Sequence, residues 1–156
     1  MAQDDLQSPR YDEGYEHLGG NEERTVDDKG RIVLPAGHWR DTFAAGARLS
    51  PWRNCLALWT LRGYGAVVAE LHAAQRAGDL RAGTVEAFRR QTQMVTLDNQ
   101  GRLTLPPALR ERFGIGDHGA PIVIEGQGDR LEIRALDRVS GLDDAELDAE
   151  LAEFDH

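Results

Sequence analysis

One ten-residue phrase is written twice in this chain. "VDDKGRIVLP" begins at Val26 and "LDNQGRLTLP" begins at Leu97, 71 positions later. In each copy an Asp stands four residues before an Arg, a Gly directly precedes that Arg, and a Leu-Pro closes the run. Agreement of this kind indicates one supersecondary unit built twice. Each copy, roughly fifty residues with a few short strands, is too small to bury a good core alone. The two halves are therefore expected to complete one another's sheet.

The periodicity around each phrase is that of strands. Val26, the polar triplet Asp28-Lys29-Gly30, then Ile32 and Leu34 at period two predict two strands joined by a tight turn. Val95 and Leu97, then Asn99-Gln100-Gly101, then Leu103 and Leu105 repeat the pattern. Gly30 and Gly101 supply the positive φ that such a turn needs, and Pro35 and Pro106 end the strands because proline has no N–H for a ladder. With one residue inserted in the first copy, "HWRDTF" (His38 to Phe43) overlies "ALRERF" (Ala108 to Phe113), each a short helical turn pinned by an aromatic. "CLALW" (Cys55 to Trp59) and "DRLEIR" (Asp129 to Arg134) then read as equivalent strands, and "PIVIEGQGDR" as a strand, a turn and a return. Each half is thus hairpin, short helix, hairpin.

Between the halves, "YGAVVAELHAAQRAGDL" from Tyr64 and "TVEAFRRQ" from Thr84 predict helices broken at Gly78 to Gly83. The chain closes on an acidic helix, "LDDAELDAELAEF", whose Leu142, Leu147, Leu151 and Phe154 recur at helical spacing and are expected to pack as a stripe. The predicted fold class is mainly β with short helices, α+β. The predicted division is a mobile acidic arm over 1–15, a first repeat domain over 16–63, linking helices over 64–92, a second repeat domain over 93–139 and the acidic helix over 140–156.

Charge is distributed unevenly. The chain of 156 residues carries a formal net charge of -9, which at first sight opposes a polyanionic partner. Residues 1–23 hold seven acids against Arg10, and residues 137–156 hold eight against Arg138. Positions 24–136 are left with sixteen basic and twelve acidic residues, a net of +4. Screening over a Debye length of about 8 Å lets such a basic centre meet phosphates despite its acidic ends. No apolar run approaches the roughly 20 residues of a membrane span, and the opening lacks a secretory signal's pattern, so a cytoplasmic location and no membrane partner are expected. A single cysteine, Cys55, rules out an internal disulfide and reads as a buried small hydrophobe.

The Asp27/Arg31 and Asp98/Arg102 pairs admit two explanations, which are compatible. One is a salt bridge that fixes the turn and contributes little to stability. The other has the Asp holding a forked guanidinium at a loop tip so that its donors reach a base edge or phosphate. Lys29, the sole lysine beside seventeen arginines, lies in the first of these loops. Arg40, Arg110 and Arg112 fall on the short helices, either as phosphate contacts or as solvated charges. The five histidines are scattered without a metal-ligand spacing, and neither a nucleophile elbow nor a phosphate-binding loop occurs. An enzyme using Asp27 and Asp98 as an acid/base couple would lack a nucleophile and an oxyanion site. No catalytic residue, metal, cofactor or small-molecule substrate is expected.

These residues resemble the MraZ family, transcriptional regulators of the bacterial division and cell-wall gene cluster built from two SpoVT/AbrB-like domains. The resemblance lies in "VDDKGRIVLPAGHWRDTF", "VTLDNQGRLTLPPALRERFGI" and "IVIEGQGDRLEI", and spans about His17 to Val139. It implies a swapped-hairpin fold in which two AbrB-like halves of one chain form an intrachain pseudo-dimer. It implies further a homo-oligomeric ring in the nucleoid, presenting hairpin loops to the major groove of double-stranded DNA with short tandem repeats. By matching position, the resemblance implies DNA contacts at Lys29 and Arg31 and at Gln100 and Arg102; Arg24, Arg40 and Arg110 are expected, from their place beside these loops, to contact DNA as well. Asp27, Asp98, Gly30 and Gly101 are then the residues that orient the loops. Gln100 can bond adenine or a phosphate but carries no charge, so the two loops are expected to contribute unequally. The first half departs from the family by a longer arm and by the residue inserted in "LPAGHWR". The acidic ends suggest a shield over the basic loops when DNA is absent. The expected function is a sequence-specific DNA-binding regulator, a repressor, and the alternative is an AbrB-like module that binds a partner protein without DNA.

Overall fold

The computed structural model describes residues 17–138 and 144–154. The arm expected over residues 1–15 and Leu142 of the predicted apolar stripe lie outside the described residues. The elements run β1 (Asn21–Thr25), β2 (Arg31–Val33), α1 (His38–Thr42), β3 (Ala47–Trp52), β4 (Cys55–Trp59), α2 (Leu61–Arg76), α3 (Thr84–Arg90), β5 (Gln93–Val95), β6 (Arg102–Thr104), α4 (Pro107–Arg112), β7 (Pro121–Gly126) and β8 (Arg130–Ala135). A 3-10 turn at Leu136–Arg138 and helix α5 (Asp144–Glu153) follow.

The strands form a six-stranded antiparallel sheet in the order β1-β7-β8-β4-β3-β5, with a separate two-stranded ribbon of β2 and β6. Only β3–β4 and β7–β8 join neighbours within a half. The β1–β7, β3–β5, β4–β8 and β2–β6 pairings all cross between halves. The registers obey a pseudo-twofold: Arg31 faces Thr104, Ile32 faces Leu103 and Val33 faces Arg102, while Leu56 faces Ile133 and Leu58 faces Leu131. Exchanging the halves maps Ile32–Leu103 onto itself, Arg31–Thr104 onto Arg102–Val33, and Leu56–Ile133 onto Leu131–Leu58. The architecture is therefore α+β, two interleaved halves folded as an intrachain pseudo-dimer, as the resemblance to a tandem AbrB-like double domain implies.

The local hairpin predicted at each repeat forms only as a turn. The Asp27 N–H donates to Arg31 O at 2.8 Å and the Gly30 N–H donates to Asp27 O at 3.1 Å, and beyond this turn the two arms part. Strand β1 runs to β7 and β2 runs to β6. The physical reason lies in burial. Beside its own polar neighbour "NEERT", the three-residue β2 would leave Ile32 and Leu34 wet. Crossing to the other half buries both completely beside Leu103 and Leu105. Phe43 and Phe113, which follow α1 and α4, enter the same core from the two sides.

The opposite face of the sheet carries a smaller cluster. Ala57, Trp59 and Val67 are buried there, and Trp52, Tyr64, Leu71 and Phe88 close around them beneath α2 and α3. Trp52 and Trp59 meet edge to face with centroids 5.1 Å apart. Helix α2 begins at Leu61, earlier than its Ala-rich stretch suggested, because Thr60 Oγ1 accepts the Gly63 N–H at 2.8 Å and caps it. Cys55 is buried as expected, and burial first, then the neighbouring Glu132, pushes its thiol up to about 12.

Helix α5 forms, but its stripe does not pack as predicted. Leu147 and Leu151 are 45% and 58% exposed, because both core clusters close without this helix.

The shared ribbon makes the two halves one cooperative unit. Replacing Ile32 or Leu103 with Ala should cost about 2–5 kcal/mol by urea denaturation. The transition should stay single, with both halves melting together. Two resolvable transitions would show that the halves fold independently.

Candidate nucleic-acid interface

The twice-written phrase builds the same object twice. In the first loop Asp27 Oδ1 accepts the Lys29 N–H at 2.9 Å and the Arg31 N–H at 2.8 Å, and its Oδ2 accepts Arg31 Nε–H at 2.8 Å. In the second, Asp98 Oδ1 accepts the Gln100 N–H and the Arg102 N–H, both at 2.9 Å, and its Oδ2 accepts Arg102 Nε–H at 2.6 Å. One carboxylate thus closes the turn with one oxygen and holds the guanidinium with the other. Since Asp takes only Nε of each Arg, the two Nη groups have no hydrogen-bond partner among the described residues. The side chains of Arg31 and Arg102 remain 21% and 29% exposed. Lys29 and Gln100 are exposed on the loops beside them.

Each loop is also gripped by the other half. The Leu105 N–H donates to Gly30 O and the Leu34 N–H to Gly101 O, both at 2.9 Å. Gly30 and Gly101 have φ of 76° and 75°, where a side chain is strained. A Cβ on Gly30 would lie 2.9 Å from Arg110 Nη2, and one on Gly101 would collide with the Arg40 guanidinium. Backbone conformation is what requires glycine here, since a guanidinium, the far end of a flexible side chain, gives way to a Cβ at little cost.

Arg40 and Arg110 therefore sit behind the loops. Arg40 Nη2 donates to Leu34 O at 2.6 Å and Arg110 Nε to Leu105 O at 3.1 Å, and Arg110 Nη1 also meets Asp117 Oδ1 at 2.9 Å. Arg112 turns away to Gln91 Oε1 at 3.2 Å. Arg24 lies on β1, where its Nη1 meets Glu22 Oε1 at 3.0 Å and Glu23 O at 2.9 Å. The fold thus gathers Asp27, Lys29, Gly30 and Arg31 with Arg110, and Asp98, Gln100, Gly101 and Arg102 with Arg40. Sequence reasoning found these residues but missed the interlocking carbonyls of Gly30 and Gly101, for which the only trace was an Arg recurring shortly after each Leu-Pro.

The hydrogen bonds set the charge state of the loops. The Arg31 backbone N–H, foremost, with those of Lys29 and the Arg31 side chain, holds the Asp27 carboxyl below its usual range. The Arg102 backbone N–H, foremost, lowers Asp98 to about 2. Both stay ionised at neutral pH and keep their arginines seated. Among the described residues, no group of three or more His, Cys, Asp or Glu side chains is placed to hold a metal, and no helix is long and apolar enough to cross a membrane.

Comparison with known proteins points one way. The family model described as "MraZ protein, putative antitoxin-like" matches residues 88–140. Over 115 residues the chain is 32% identical to "Transcriptional regulator MraZ" of Arthrobacter sp. (strain FB24), covering 73% of this chain and 78% of that protein. It is 32% identical over 123 residues to the protein of the same name from Roseiflexus sp. (strain RS-1), covering 74% and 79%. It is 29% identical over 120 residues to that of Moorella thermoacetica, covering 76% and 81%.

A carboxyl whose folded pKa is depressed stabilises the fold above its ordinary pKa and loses that contribution as pH falls. For Asp98 the contribution is fully present above 3.8 and is lost as pH falls through about 2. In an NMR titration the Asp98 carboxyl should titrate near the lower value, and the Arg102 Nε–H signal should weaken with it. Titration at the ordinary value would show that the loop does not hold its Asp.

Proposed function

This chain belongs to the MraZ family, and we propose that it is a sequence-specific DNA-binding transcriptional regulator that represses the bacterial division and cell-wall gene cluster. The observation that carries this reading is the pair of Asp-held arginines, each fixed through Nε with its Nη edge left for a ligand. A guanidinium so presented suits the O6 and N7 acceptors of guanine in the major groove, which accept it bidentately. Holding it beforehand removes much of the side-chain entropy that binding would cost. Lys29 supplies a phosphate contact, and Gln100 a bond to adenine or phosphate.

Arg40 and Arg110 support the glycine corners from behind in this reading, so they act on DNA by positioning the loops. Arg24, held by Glu22, is left at most a flanking phosphate contact. Several copies in a ring would set loop pairs against successive short tandem repeats, in the cytoplasm and associated with the nucleoid. The relatives are named as regulators and not as enzymes, and neither a cofactor nor a small-molecule substrate enters the proposal.

A salt series with genomic DNA fragments tests it. The logarithm of the binding constant should fall linearly with the logarithm of salt, at a slope of about -0.9 per phosphate contacted. Arg31→Ala and Arg102→Ala should each abolish specific binding while leaving the fold and the oligomer intact. Absence of saturable DNA binding at every salt concentration would favour the protein-interaction module, and unfolding of either variant would favour a purely structural salt bridge.

A further inference from the structure

The two reading patches do not coincide with the two halves of the chain. Strands β2 and β6 are antiparallel, so Arg31 stands opposite Thr104 and Arg102 stands opposite Val33. Directly opposed residues of such a pair hold their Cβ atoms about 5 Å apart. Each motif arginine therefore has, as its cross-strand neighbour, a residue from the other repeat. Ile32 and Leu103 point into the core, and alternation places Arg31, Val33, Arg102 and Thr104 together on the outer face.

Two chemically different patches result. One holds Lys29 and Arg31 with Thr104, and the other holds Gln100 and Arg102 with Val33. Val33 is 39% exposed, although the next residue, Leu34, is fully buried in the core. The equivalent position in the second repeat is Thr104, also exposed, so the ribbon itself does not demand an apolar side chain there. The same pseudo-twofold that keeps Asp, Gly and Arg identical leaves Lys29 against Gln100 and Val33 against Thr104.

We propose that Val33 and Thr104 are specificity-determining residues of the DNA surface. Val33 contacts the C5-methyl of the thymine whose paired adenine Gln100 addresses, next to the guanine addressed by Arg102, and Thr104 bonds a base edge next to the one addressed by Arg31. The spacing allows it, since side chains about 5 Å apart can reach adjacent base pairs stacked about 3.4 Å apart. Gln pairs with adenine, and an apolar group meets the thymine methyl, so the Val33 patch selects an A·T pair. The Lys29 patch has a charged lysine where the other has the adenine-pairing Gln100, so it lacks that combined preference. A chain with pseudo-twofold backbone symmetry thereby reads a site without twofold symmetry, in one orientation. The inference rests on the proposal that these loops bind DNA.

The test uses the full chain and a pool of random duplexes. Fragments enriched by the wild-type protein are resynthesised with deoxyuridine in place of thymine, one position at a time, which removes a single methyl group. At one thymine per recognition unit the wild-type protein should lose about fourfold in affinity, the equivalent of one buried methyl. Val33→Ser should bind the thymine and deoxyuridine forms equally, while Thr104→Ser should still distinguish them. Enrichment with no methyl-sensitive thymine, or with sensitivity unchanged in Val33→Ser, would overturn the inference and leave the DNA reading standing. Enrichment of nothing above the starting pool, even at low salt, would overturn the DNA reading and this inference with it. The deoxyuridine comparison on the wild-type chain needs no variant and so does not depend on how Val33→Ser folds.

Discussion

Two backbone hydrogen bonds, from the Leu34 N–H to Gly101 O and from the Leu105 N–H to Gly30 O, tie each loop to the opposite half of the chain. Because the acceptors are the corner glycines themselves, each turn, closed by its own Asp, is fixed in place by the other half. The same crossing seals Ile32 against Leu103 and removes both from water. Burial, register and loop geometry are thus consequences of one ribbon. A fold of this kind spends little of its short sequence on scaffolding, since the strands that close the core also carry the half-buried arginines on their other face.

The loops are held on two sides. Asp27 and Asp98 close each turn and seat each guanidinium, while Arg110 and Arg40 pack behind the glycine corners from the other half. Long side chains at an exposed tip would ordinarily sample many rotamers, and ordering them on a ligand would cost free energy. Here the ordering is done by folding. The net charge of -9 does not oppose this, since the acidic residues concentrate at the chain's ends and the loops lie in a centre of net +4.

Much of this was legible in the sequence because the repeat carried it. The Asp, Gly and Arg of each phrase, the turn at "GQGD" and the strands "CLALW" and "DRLEIR" stand where pattern and turn chemistry put them. What pattern could not decide was partnership. Ile32 and Leu34 alternate equally well beside β1 or beside β6, and only the burial gained by crossing selects the second. Nor could it decide what Arg40 and Arg110 touch, since a charged residue on a short helix looks the same whether it faces solvent or a glycine carbonyl's neighbour. The apolar stripe of α5 misled for a related reason: Leu147 and Leu151 recur correctly, yet the sheet's two faces are already filled. The pairing of Val33 with Arg102 likewise becomes visible only once the register of β2 on β6 is known.

Methylation protection at guanine N7, on a duplex enriched by the full chain, asks most directly whether the Asp-held arginines are what meets DNA. N7 lies in the major groove, where a bidentate guanidinium would cover it. The expected result is protection at discrete guanines that disappears with Arg31→Ala and Arg102→Ala while Lys29 still retains nonspecific binding. Guanine N7 left open beneath a bound protein, with protection confined to adenine N3 in the minor groove, would show that the loops are not the surface that reads the sequence.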